Sequence, residues 1–456
     1  MALASIPLEG VRPLGFEDLK TAVSGTAAAF RCRRRLQPGG GEGDKVFPPT
    51  FAGAVYAVER RRVSGHEQPV TCVLLDSVQS QANRMEQALQ DALDAGEIRL
   101  PIITVDFSEY GPTGDQKKDE NEGRLLDAIG KLTSLQVPHR LADAILRDSE
   151  HNGEPFRKSA AARSLNQAGP LNATPLFELC PTALVFGMWD STGPKGGLGM
   201  KFERAIVSEV VGIGAEFGLK TASRIDPLIT ATSGIVLYRG PDGGWTLDIS
   251  KAVNDKSGKP IKLGRKGDGK VSEANLGNVT PSFAKYIKGA EGSDPMNPGI
   301  QAKEGGIAPG GVTIQYAEQS TTLSLIALRR LRFPVGQPNS DENAASVAAR
   351  AVLAALGLCA ATLAFEPGMG LRSRCLLWPD GPMRWELLAK AGEPPHVFTL
   401  DAAAAKRLLA DSVHAAEETG LRWQTTPLTL KPSKKLLELV RLSQQQSVKE
   451  GTAEEA

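Results

Sequence analysis

The stretch ALVFGMWDSTGPKGGLGMKFERAIVSEVVGIG, residues 183–214, is the segment around which the rest of the chain is organised. Its pattern predicts an apolar strand at residues 183–189, a glycine-rich basic loop at residues 190–204 and a second strand at residues 205–213. Glycines allow main-chain N–H groups to approach an anion closely, and lysine and arginine side chains add positive charge. The pattern therefore predicts a loop that binds a polyanion backbone, with a long β-hairpin ending in a solvated tip as the alternative.

This loop matches neither of the two common nucleotide-binding motifs. A mononucleotide-binding loop ends in Gly-Lys-Ser/Thr, whereas Gly199 is followed by Met200 and only then by Lys201. The dinucleotide fingerprint needs a third glycine at a fixed distance, and the pair Gly197 and Gly199 is not followed by one. The sequence therefore supports neither nucleotide-binding fold.

The composition is that of a soluble globular protein with long loops: 41% of the residues are hydrophobic and 23% are charged, with 48 glycines and 30 prolines. A net charge of +1 excludes a surface that is basic everywhere, but it allows local basic stripes. The five cysteines and five histidines are scattered, so no disulfide framework, zinc site or other cofactor is predicted. We find no signal pattern and no apolar run of membrane-spanning length, which predicts a cytoplasmic protein without membrane contact.

The densest positive cluster of the chain is Arg31 with Arg33, Arg34 and Arg35. A loop of small residues follows, reaches Lys45, and leads to a predicted strand at residues 51–58. Four arginines in five positions indicate either a solvated loop or the edge of a strand that contacts phosphate.

The clearest helix of the sequence follows a short apolar strand at residues 70–75. Apolar side chains recur at helical spacing and predict its buried face: Val78, Ala82, Met85, Leu89 and Leu93. Asp76 and Gln79 predict a capping box at the start of the helix. The other face begins with polar donors and one cation, where the helix dipole favours an anion: Ser77, Gln79, Ser80, Asn83 and Arg84. An ordinary amphipathic helix packed on a sheet is compatible with the same pattern.

The remaining sequence alternates between core segments and insertions. We predict a helical insertion at about residues 107–180, a flexible Gly/Lys-rich insertion at about residues 251–311, a C-terminal helical extension at residues 391–443 and a disordered tail at residues 444–456. Further strands are predicted at residues 98–107, 232–238, 245–249, 371–378 and 383–388. A long helix starts near Asp341 and has a predicted buried stripe of Ala344, Val347, Ala351, Ala355 and Leu358.

The predicted order strand, helix, strand, long interruption, strand, helix, strand is the ferredoxin-like βαββαβ layout. On that layout, residues 76–84 resemble the Ser-Ser-Gln helix start of CRISPR-associated RAMP proteins. The passages at residues 36–49, 74–84 and 186–197 together resemble the backbone subunit, of the Cas-seven family, of the type I-U (also called I-G) Cascade complex. The similarity continues through residues 328–334 and 371–377.

This resemblance implies an α+β fold in which residues 31–390 form an RRM-like, ferredoxin-like RAMP palm with large insertions, one of them a thumb-like hairpin. It implies a non-catalytic protein that binds the CRISPR guide RNA (crRNA), polymerises along it and presents it for pairing with invading target DNA. The implied partners are the crRNA, target DNA through the guide, further copies of the chain, other Cascade subunits and, through them, the helicase-nuclease.

The resemblance and the local patterns together assign RNA binding to Arg33, Arg34, Arg35, Lys45, Ser77, Gln79, Ser80, Asn83, Arg84, Ser191, Lys195, Gly196, Gly197, Lys201 and Arg204. Two other functions stay open. One is a type III-like RAMP subunit that cleaves target RNA with a metal ion and a loop aspartate, for which Asp255 and Asp268 are candidates. The other is a scaffold that does not bind nucleic acid. Because the sequence contains no assembled nucleophile, paired metal ligands or Cys/His arrangement, it predicts no enzyme.

Overall fold

The computed structural model describes residues 11–52, 55–191, 201–218, 220–230, 234–264, 267–284, 310–336 and 341–454. The α-helices in these ranges are α1 (Phe16–Ser24), α2 (Val78–Asp94), α3 (Gln116–Glu122), α4 (Ala144–Arg147), α5 (Ala160–Arg163), α6 (Thr174–Leu179), α7 (Thr182–Phe186), α8 (Leu325–Arg329), α9 (Glu342–Phe365), α10 (Ala402–Glu417) and α11 (Lys434–Glu454). The strands are β1 (Arg12–Pro13), β2 (Ala29–Pro38), β3 (Thr50–Phe51), β4 (Val55–Tyr56), β5 (Val58–Arg61), β6 (Val70–Asp76), β7 (Ile103–Asp106), β8 (Lys131–Thr133), β9 (Ser149–His151), β10 (Glu154–Pro155), β11 (Met188–Trp189), β12 (Lys201–Phe202), β13 (Ile206–Ile213), β14 (Glu216–Phe217), β15 (Lys220–Arg224), β16 (Tyr238–Arg239), β17 (Trp245–Thr246), β18 (Val279–Ala284), β19 (Val312–Thr313), β20 (Tyr316–Ser324), β21 (Met369–Arg372), β22 (Cys375–Pro379), β23 (Arg384–Leu388), β24 (His396–Thr399) and β25 (Leu428–Pro432).

A large, mostly antiparallel sheet forms the centre of the described structure, in the order β1-β24-β23-β2-β20-β13-β6-β5, and the β21–β22 hairpin joins it beside β2. The four central strands follow one another along the chain as β2, β13, β20 and β23. Across the sheet they lie in the order β23-β2-β20-β13, which places the fourth strand of the chain beside the first, the first beside the third, and the third beside the second. The mixed α+β class is therefore confirmed. The strand before α2, β6, does not hold the expected first position. It lies outside β13, and β2 takes the position between β20 and β23.

Strand β2 explains the arginine cluster. Side chains alternate across a strand, so Phe30, Cys32 and Leu36 are buried on one face while the arginines at odd-numbered positions face the other way. The cluster is therefore part of a central strand, paired on both sides, and it is neither a solvated loop nor a strand edge.

Two helices, α2 and α9, pack against each other on one face of this sheet. The predicted buried face of α2 is confirmed, since Ala82, Met85 and Leu89 are buried. Helix α9 begins at Asp341 as predicted, but it is buried almost all round from Ala349 onward and not along one stripe. Its length and composition would also suit a membrane span, yet 78% of its most apolar stretch is buried inside the protein, as in the core helix of a soluble domain.

The chain between β6 and β13 includes a second layer of mixed structure. Within the described residues it contains short helices and four strands of a five-stranded sheet, whose order is β10-β9-β25-β7-β8, so the insertion that the sequence predicts to be helical is only partly helical. Strand β25 comes from the C-terminal part of the chain and pairs in parallel with β7. The predicted C-terminal extension also supplies β24 to the large sheet, and α11 continues through the predicted disordered tail to Glu454.

Several predicted strands have different boundaries in the structure. The run at residues 183–189 is mostly helix α7, buried throughout, followed by Gly187 and the two-residue strand β11. A fully apolar run of this length has no periodicity that separates a buried helix from a buried strand. Residues 371–378 form the hairpin β21–β22, residues 51–58 divide among β3, β4 and β5, and residues 98–107 contain only β7. In place of the strands predicted at residues 232–238 and 245–249, the structure has the two-residue strands β16 and β17. Residues 231–233 lie outside the described residues.

Candidate nucleic-acid interface

Helix α2 begins at Ser77, whose hydroxyl accepts a hydrogen bond from the backbone N–H of Ser80 at 3.3 Å. The predicted Asp76–Gln79 capping box is therefore wrong, because Asp76 is buried at the end of β6 and its carboxylate faces other partners. The side chains of Gln79 and Asn83 are exposed on the first turns of the helix. These two amides stay available to a ligand at the helix N-terminus.

Asp76 is the centre of an ionic cluster that joins α2, β6 and β21. Its carboxylate, 1% exposed, accepts from Gln81 Nε2 at 2.6 Å and from Arg84 Nε at 2.9 Å, and Arg372 Nη2 lies 3.5 Å away. Arg84 also donates to the carbonyl oxygen of Leu371 at 2.8 Å. Arg84, which the sequence assigns to RNA, is thus committed to holding the start of α2 against the β21–β22 hairpin.

A buried polar network continues from this cluster under α2. Gln81 Oε1 accepts from Ser208 Oγ at 2.8 Å and from Gln319 Nε2 at 3.2 Å, and the hydroxyls of Ser208 and Thr321 lie 2.8 Å apart. Buried polar groups of this kind fix the relative position of the elements that carry them, since breaking one bond leaves a donor or acceptor unpaired. The network therefore sets the position of α2 on β13 and β20.

The other face of β2 carries arginines that already have partners. Arg33 makes two hydrogen bonds to the carboxylate of Glu318, at 2.8 and 2.9 Å, and the Arg35 guanidinium lies 4.2 Å from the centre of the Tyr316 ring. The same face holds the ion pairs Arg31–Glu386 and Arg61–Glu209. The charge of each of these four arginines is therefore offset in part by a carboxylate or an aromatic ring.

Arg34 lies on the buried face and is not placed to bind RNA in this structure, contrary to the sequence-based assignment. Its side chain is buried, and Nη1 donates at 2.8 Å to the carbonyl oxygen of Phe365 at the end of α9. Burial lowers the pKa of this guanidinium. A cation at a helix C-terminus satisfies orphan carbonyls and the helix dipole, so Arg34 has a structural role.

The predicted RNA-binding residues consequently fall on two opposite faces of the large sheet. Arg34 stands directly opposite Gln319 in the register of β2 and β20, and Gln319 contacts Gln81 of α2. The α2 side chains therefore share the face of Arg34, whereas Arg33 and Arg35 point away from it. The structure does not combine the arginine cluster and the start of α2 into one surface.

A pocket of about 270 Å³ opens where the β11–β12 ribbon meets the turn before α4. It is lined by Pro138, His139, Arg140, Gly187, Met188, Trp189, Lys201, Phe202 and Arg204. Two of the predicted RNA-binding residues, Lys201 and Arg204, are among them. The pocket is therefore the place where the structure brings part of the predicted basic loop next to other cationic groups.

Arg140 connects this pocket to α2. It is 7% exposed, pairs through Nε and Nη2 with the Glu86 carboxylate at 2.6 and 2.7 Å, and donates from Nη1 to the Gly187 carbonyl oxygen at 2.9 Å. Glu86 follows Asn83 by three residues and Gln79 by seven, so all three lie along one side of α2. The exposed amides of α2 therefore lead along the helix toward the pocket.

The pocket carries more positive than negative charge. Arg204 has no hydrogen bond or ion pair among the described residues, and burial together with the nearby charge of Arg140 lowers its pKa. Glu86 is the carboxylate that faces both guanidiniums, and burial raises the pKa of Glu86 against the attraction of Arg140. Lys201 is exposed at the rim. A half-buried site with uncompensated guanidinium charge is suited to a phosphate group.

Gly187 allows the close contact between the two sides of this pocket. Its φ of 81° is in the left-handed region, and a Cβ there would lie 2.8 Å from Arg204 Cγ and 3.0 Å from the Arg204 backbone nitrogen. A side chain would therefore displace Arg204 or the ribbon, so glycine is required at this position.

The remaining predicted residues are placed as follows. Lys195, Gly196 and Gly197 lie outside the described residues. Ser191 is exposed and lies two residues after β11, the first strand of the pocket ribbon. Lys45 is half-buried beside Gly311 and has no ion pair within the described ranges.

Sequence reasoning missed Arg140, Trp189, His139, Arg372 and Arg374 as site residues. A signal existed for three of them, because Trp189, Arg372 and Arg374 lie in passages that carry the family resemblance. Arg374 packs on the ring of Phe47, 4.7 Å from its centre. Arg140 and His139 lie in a segment without a motif, so only the fold reveals their position.

Comparisons with known proteins address the same region. Residues 30–217 match the family model for CRISPR-associated protein GSU0053, and this segment includes β2, α2 and the pocket. Among solved structures, that of Csc2 from Thermofilum pendens aligns with 94% of this chain and 85% of its own, at 10% identity and a TM-score of 0.22. A TM-score this low carries no argument about fold or function. None of the curated proteins is significantly similar to the chain.

Proposed function

Because residues 30–217 match the model of a CRISPR-associated family, we propose that this chain is a Cas7-like RAMP protein and the crRNA-binding backbone subunit of a type I interference complex. The observation that carries this proposal is the cationic pocket beside α2. Its guanidinium and ammonium groups match the phosphates of an RNA backbone, and such contacts are tolerant of sequence, as guide binding requires.

The proposed palm is the sheet β23-β2-β20-β13 with α2 and α9 on one face. The chain order of these strands supports a ferredoxin-like, RRM-like unit, since the fourth, first, third and second strands stand side by side. In this proposal β5 and β6 extend the unit at one edge, and the β24–β1 pair extends it at the other.

We assign the thumb-like hairpin to the arm that leaves the core at β15 and returns at β18. These two strands pair with each other and with no other described strand. At the end of β15 the Asp226 carboxylate accepts backbone N–H bonds from Leu228, Thr230 and Gly277, and Ile229 is 81% exposed. A loop held this firmly while it displays a large aliphatic side chain suits insertion between bases.

The proposed partners follow from the proposed role. They are the crRNA, target DNA paired to the guide, further copies of the chain along the same RNA, other Cascade subunits and, through them, the helicase-nuclease, all in the cytoplasm. The chain itself acts by binding and positioning and catalyses no reaction.

The alternative of RNA cleavage by a loop aspartate receives no support from the geometry. The Asp255 carboxylate accepts from the backbone and hydroxyl of Ser257 and from the backbone of Lys259, at 2.7 to 3.0 Å. Asp268 pairs with Lys270 at 2.9 Å. Both carboxylates hold their own turns in place, which is the ordinary role of aspartate in a loop.

The test is binding of the purified protein to unrelated single-stranded RNAs of increasing length. We expect the number of bound subunits to grow with RNA length, and we expect the double variant Lys201→Gln/Arg204→Gln to weaken binding about equally for every sequence. Lys390→Gln, an exposed lysine in the β23–β24 turn, is the matched control and should bind like the wild type. A wild-type protein that does not bind RNA, or that cleaves RNA when a divalent metal is added, would overturn the proposal.

A further inference from the structure

The β11–β12 ribbon places an aromatic ring and an ammonium group side by side at the mouth of the pocket. Trp189 and Lys201 are direct partners in its antiparallel register, whereas the neighbouring pair, Met188 and Phe202, is buried. Side chains paired directly across two strands have Cβ atoms about 5 Å apart on the same face. The Trp189 side chain is 61% exposed. An exposed tryptophan beside a lysine is therefore a fixed feature of this ribbon.

Arg204, three residues after Lys201, supplies a second cation. It lines the same pocket, lacks a hydrogen-bond partner among the described residues, and is held close to Gly187. The pocket volume of about 270 Å³ is below the usual range for a complete drug-sized ligand. The space suits one phosphate and the base next to it, and it is too small for a longer segment.

From this arrangement we infer that Trp189, Lys201 and Arg204 form a subsite for one unpaired nucleotide of the bound RNA. The base stacks on the indole of Trp189, and the adjacent phosphate lies between Lys201 and Arg204. Every base has a π-face, so stacking strengthens binding without selecting a sequence. This inference rests on the proposed function and adds that the chain contacts a base as well as the backbone.

The subsite also predicts which form of RNA the pocket accepts. In a duplex the bases stack on each other, and a single base cannot reach the indole unless it leaves the stack. Trp189 should therefore contribute to the binding of single-stranded RNA and not to the binding of duplex RNA. Lys201 and Arg204 should contribute to both, because both forms present phosphates.

The experiment compares three ligands that separate the base from the phosphate: single-stranded RNA, duplex RNA and inorganic polyphosphate. We expect Trp189→Ala to weaken binding of single-stranded RNA by about 5- to 150-fold, the range for loss of one stacked base. The same variant should bind duplex RNA and polyphosphate like the wild type. Trp189→Phe keeps an aromatic face and should restore most of the affinity.

The phosphate half of the subsite has a separate readout. Arg204→Gln should weaken all three ligands and reduce the slope of log affinity against log salt for single-stranded RNA by about 0.7. Trp189→Ala should leave that slope unchanged. Trp245→Ala removes another exposed tryptophan, on β17, and is the matched control for the aromatic substitution.

The outcomes distinguish this inference from the proposed function. If the wild type does not bind single-stranded RNA, the proposed function is wrong. If it does and Trp189→Ala binds equally well, the nucleotide subsite is wrong and the backbone-binding function stands. If Trp189→Ala weakens polyphosphate as much as single-stranded RNA, Trp189 supports the pocket structurally and the stacking assignment is overturned.

Discussion

Replacing Asp76 with asparagine tests whether the ionic cluster at the start of α2 is structural. The substitution preserves the size of the side chain and one acceptor oxygen, but it removes the charge that two arginines share. The new amide N–H₂ also faces groups that are themselves donors, Gln81 Nε2 and Arg84 Nε, at the places where the carboxylate now accepts bonds of 2.6 and 2.9 Å.

The expected loss can be estimated from the exposure of the partners. Removing one member of a buried ion pair costs about 3–5 kcal/mol. Arg84 and Arg372 keep 30% and 27% of their side-chain exposure, so water recovers part of their solvation. We therefore expect Asp76→Asn to lower the free energy of unfolding by about 3 kcal/mol, the lower end of that range.

Urea unfolding followed by circular dichroism measures this loss. Asp91→Asn is the matched control, since Asp91 is an exposed aspartate on the same helix, and it should change stability by less than about 0.5 kcal/mol. In the double variant Asp76→Asn/Arg84→Gln one of the uncompensated charges is gone, so its loss should be smaller than the sum of the two single losses by about 1 kcal/mol. Wild-type stability in Asp76→Asn, or strict additivity in the double variant, would refute the assigned role of the cluster.

Three further predictions follow from the same contacts. Met85→Asp should abolish cooperative folding, because Met85 is fully buried on the inner face of α2; soluble protein with a wild-type thermal transition would contradict this. Gly187→Ala should cost about 1–3 kcal/mol by thermal unfolding and weaken RNA binding, since its Cβ forces Arg204 away; wild-type values for both would show that the ribbon adapts. Burial raises the pKa of Glu86 above its ordinary 4.5, so the stability that this group contributes is present below that value and is lost as pH rises through the folded-state pKa. As pH falls from 7 toward that pKa, Glu86 loses its charge, so RNA should bind more tightly to the protein with Glu86 but not to the Glu86→Gln variant in filter-binding titrations. Both proteins carry His139→Gln, so that the histidine in the pocket lining does not contribute to the difference. An equal pH response in the two proteins would refute this role of Glu86.

Within α2, local information in the sequence was sufficient to predict the buried face. Its apolar residues recur at helical spacing, and the buried positions Ala82, Met85 and Leu89 follow that spacing. The start of the helix was predicted one residue too early because Asp76 and Ser77 are both good capping residues. Only the tertiary contacts of Asp76 with Arg84 and Arg372 decide that Ser77 is the cap.

The resemblance to CRISPR-associated proteins is supported over residues 30–217, which match the model of a CRISPR-associated family. RNA binding by the individual residues assigned from the sequence stays a prediction. For the arginine cluster, composition predicts the positive charge but not which groups the individual arginines contact. Because side chains alternate along β2, Arg34 contacts the end of α9 and Arg33 pairs with Glu318. The face on which each arginine lies depends on the register of β2 with β20, a strand far away in sequence.

The sequence by itself determined the α+β class and the amphipathic helix α2, because both depend on patterns of residues that are close together in the chain. The tertiary structure alone decided that β2, and not β6, stands between β20 and β23, since strand pairing is a long-range choice that local patterns do not encode. It also decided the pocket, where Arg140 reaches Glu86 across 54 positions of sequence and meets the ribbon of Trp189 and Lys201. Charge, burial and hydrogen-bond partners are properties of neighbours in space, and the fold creates those neighbours.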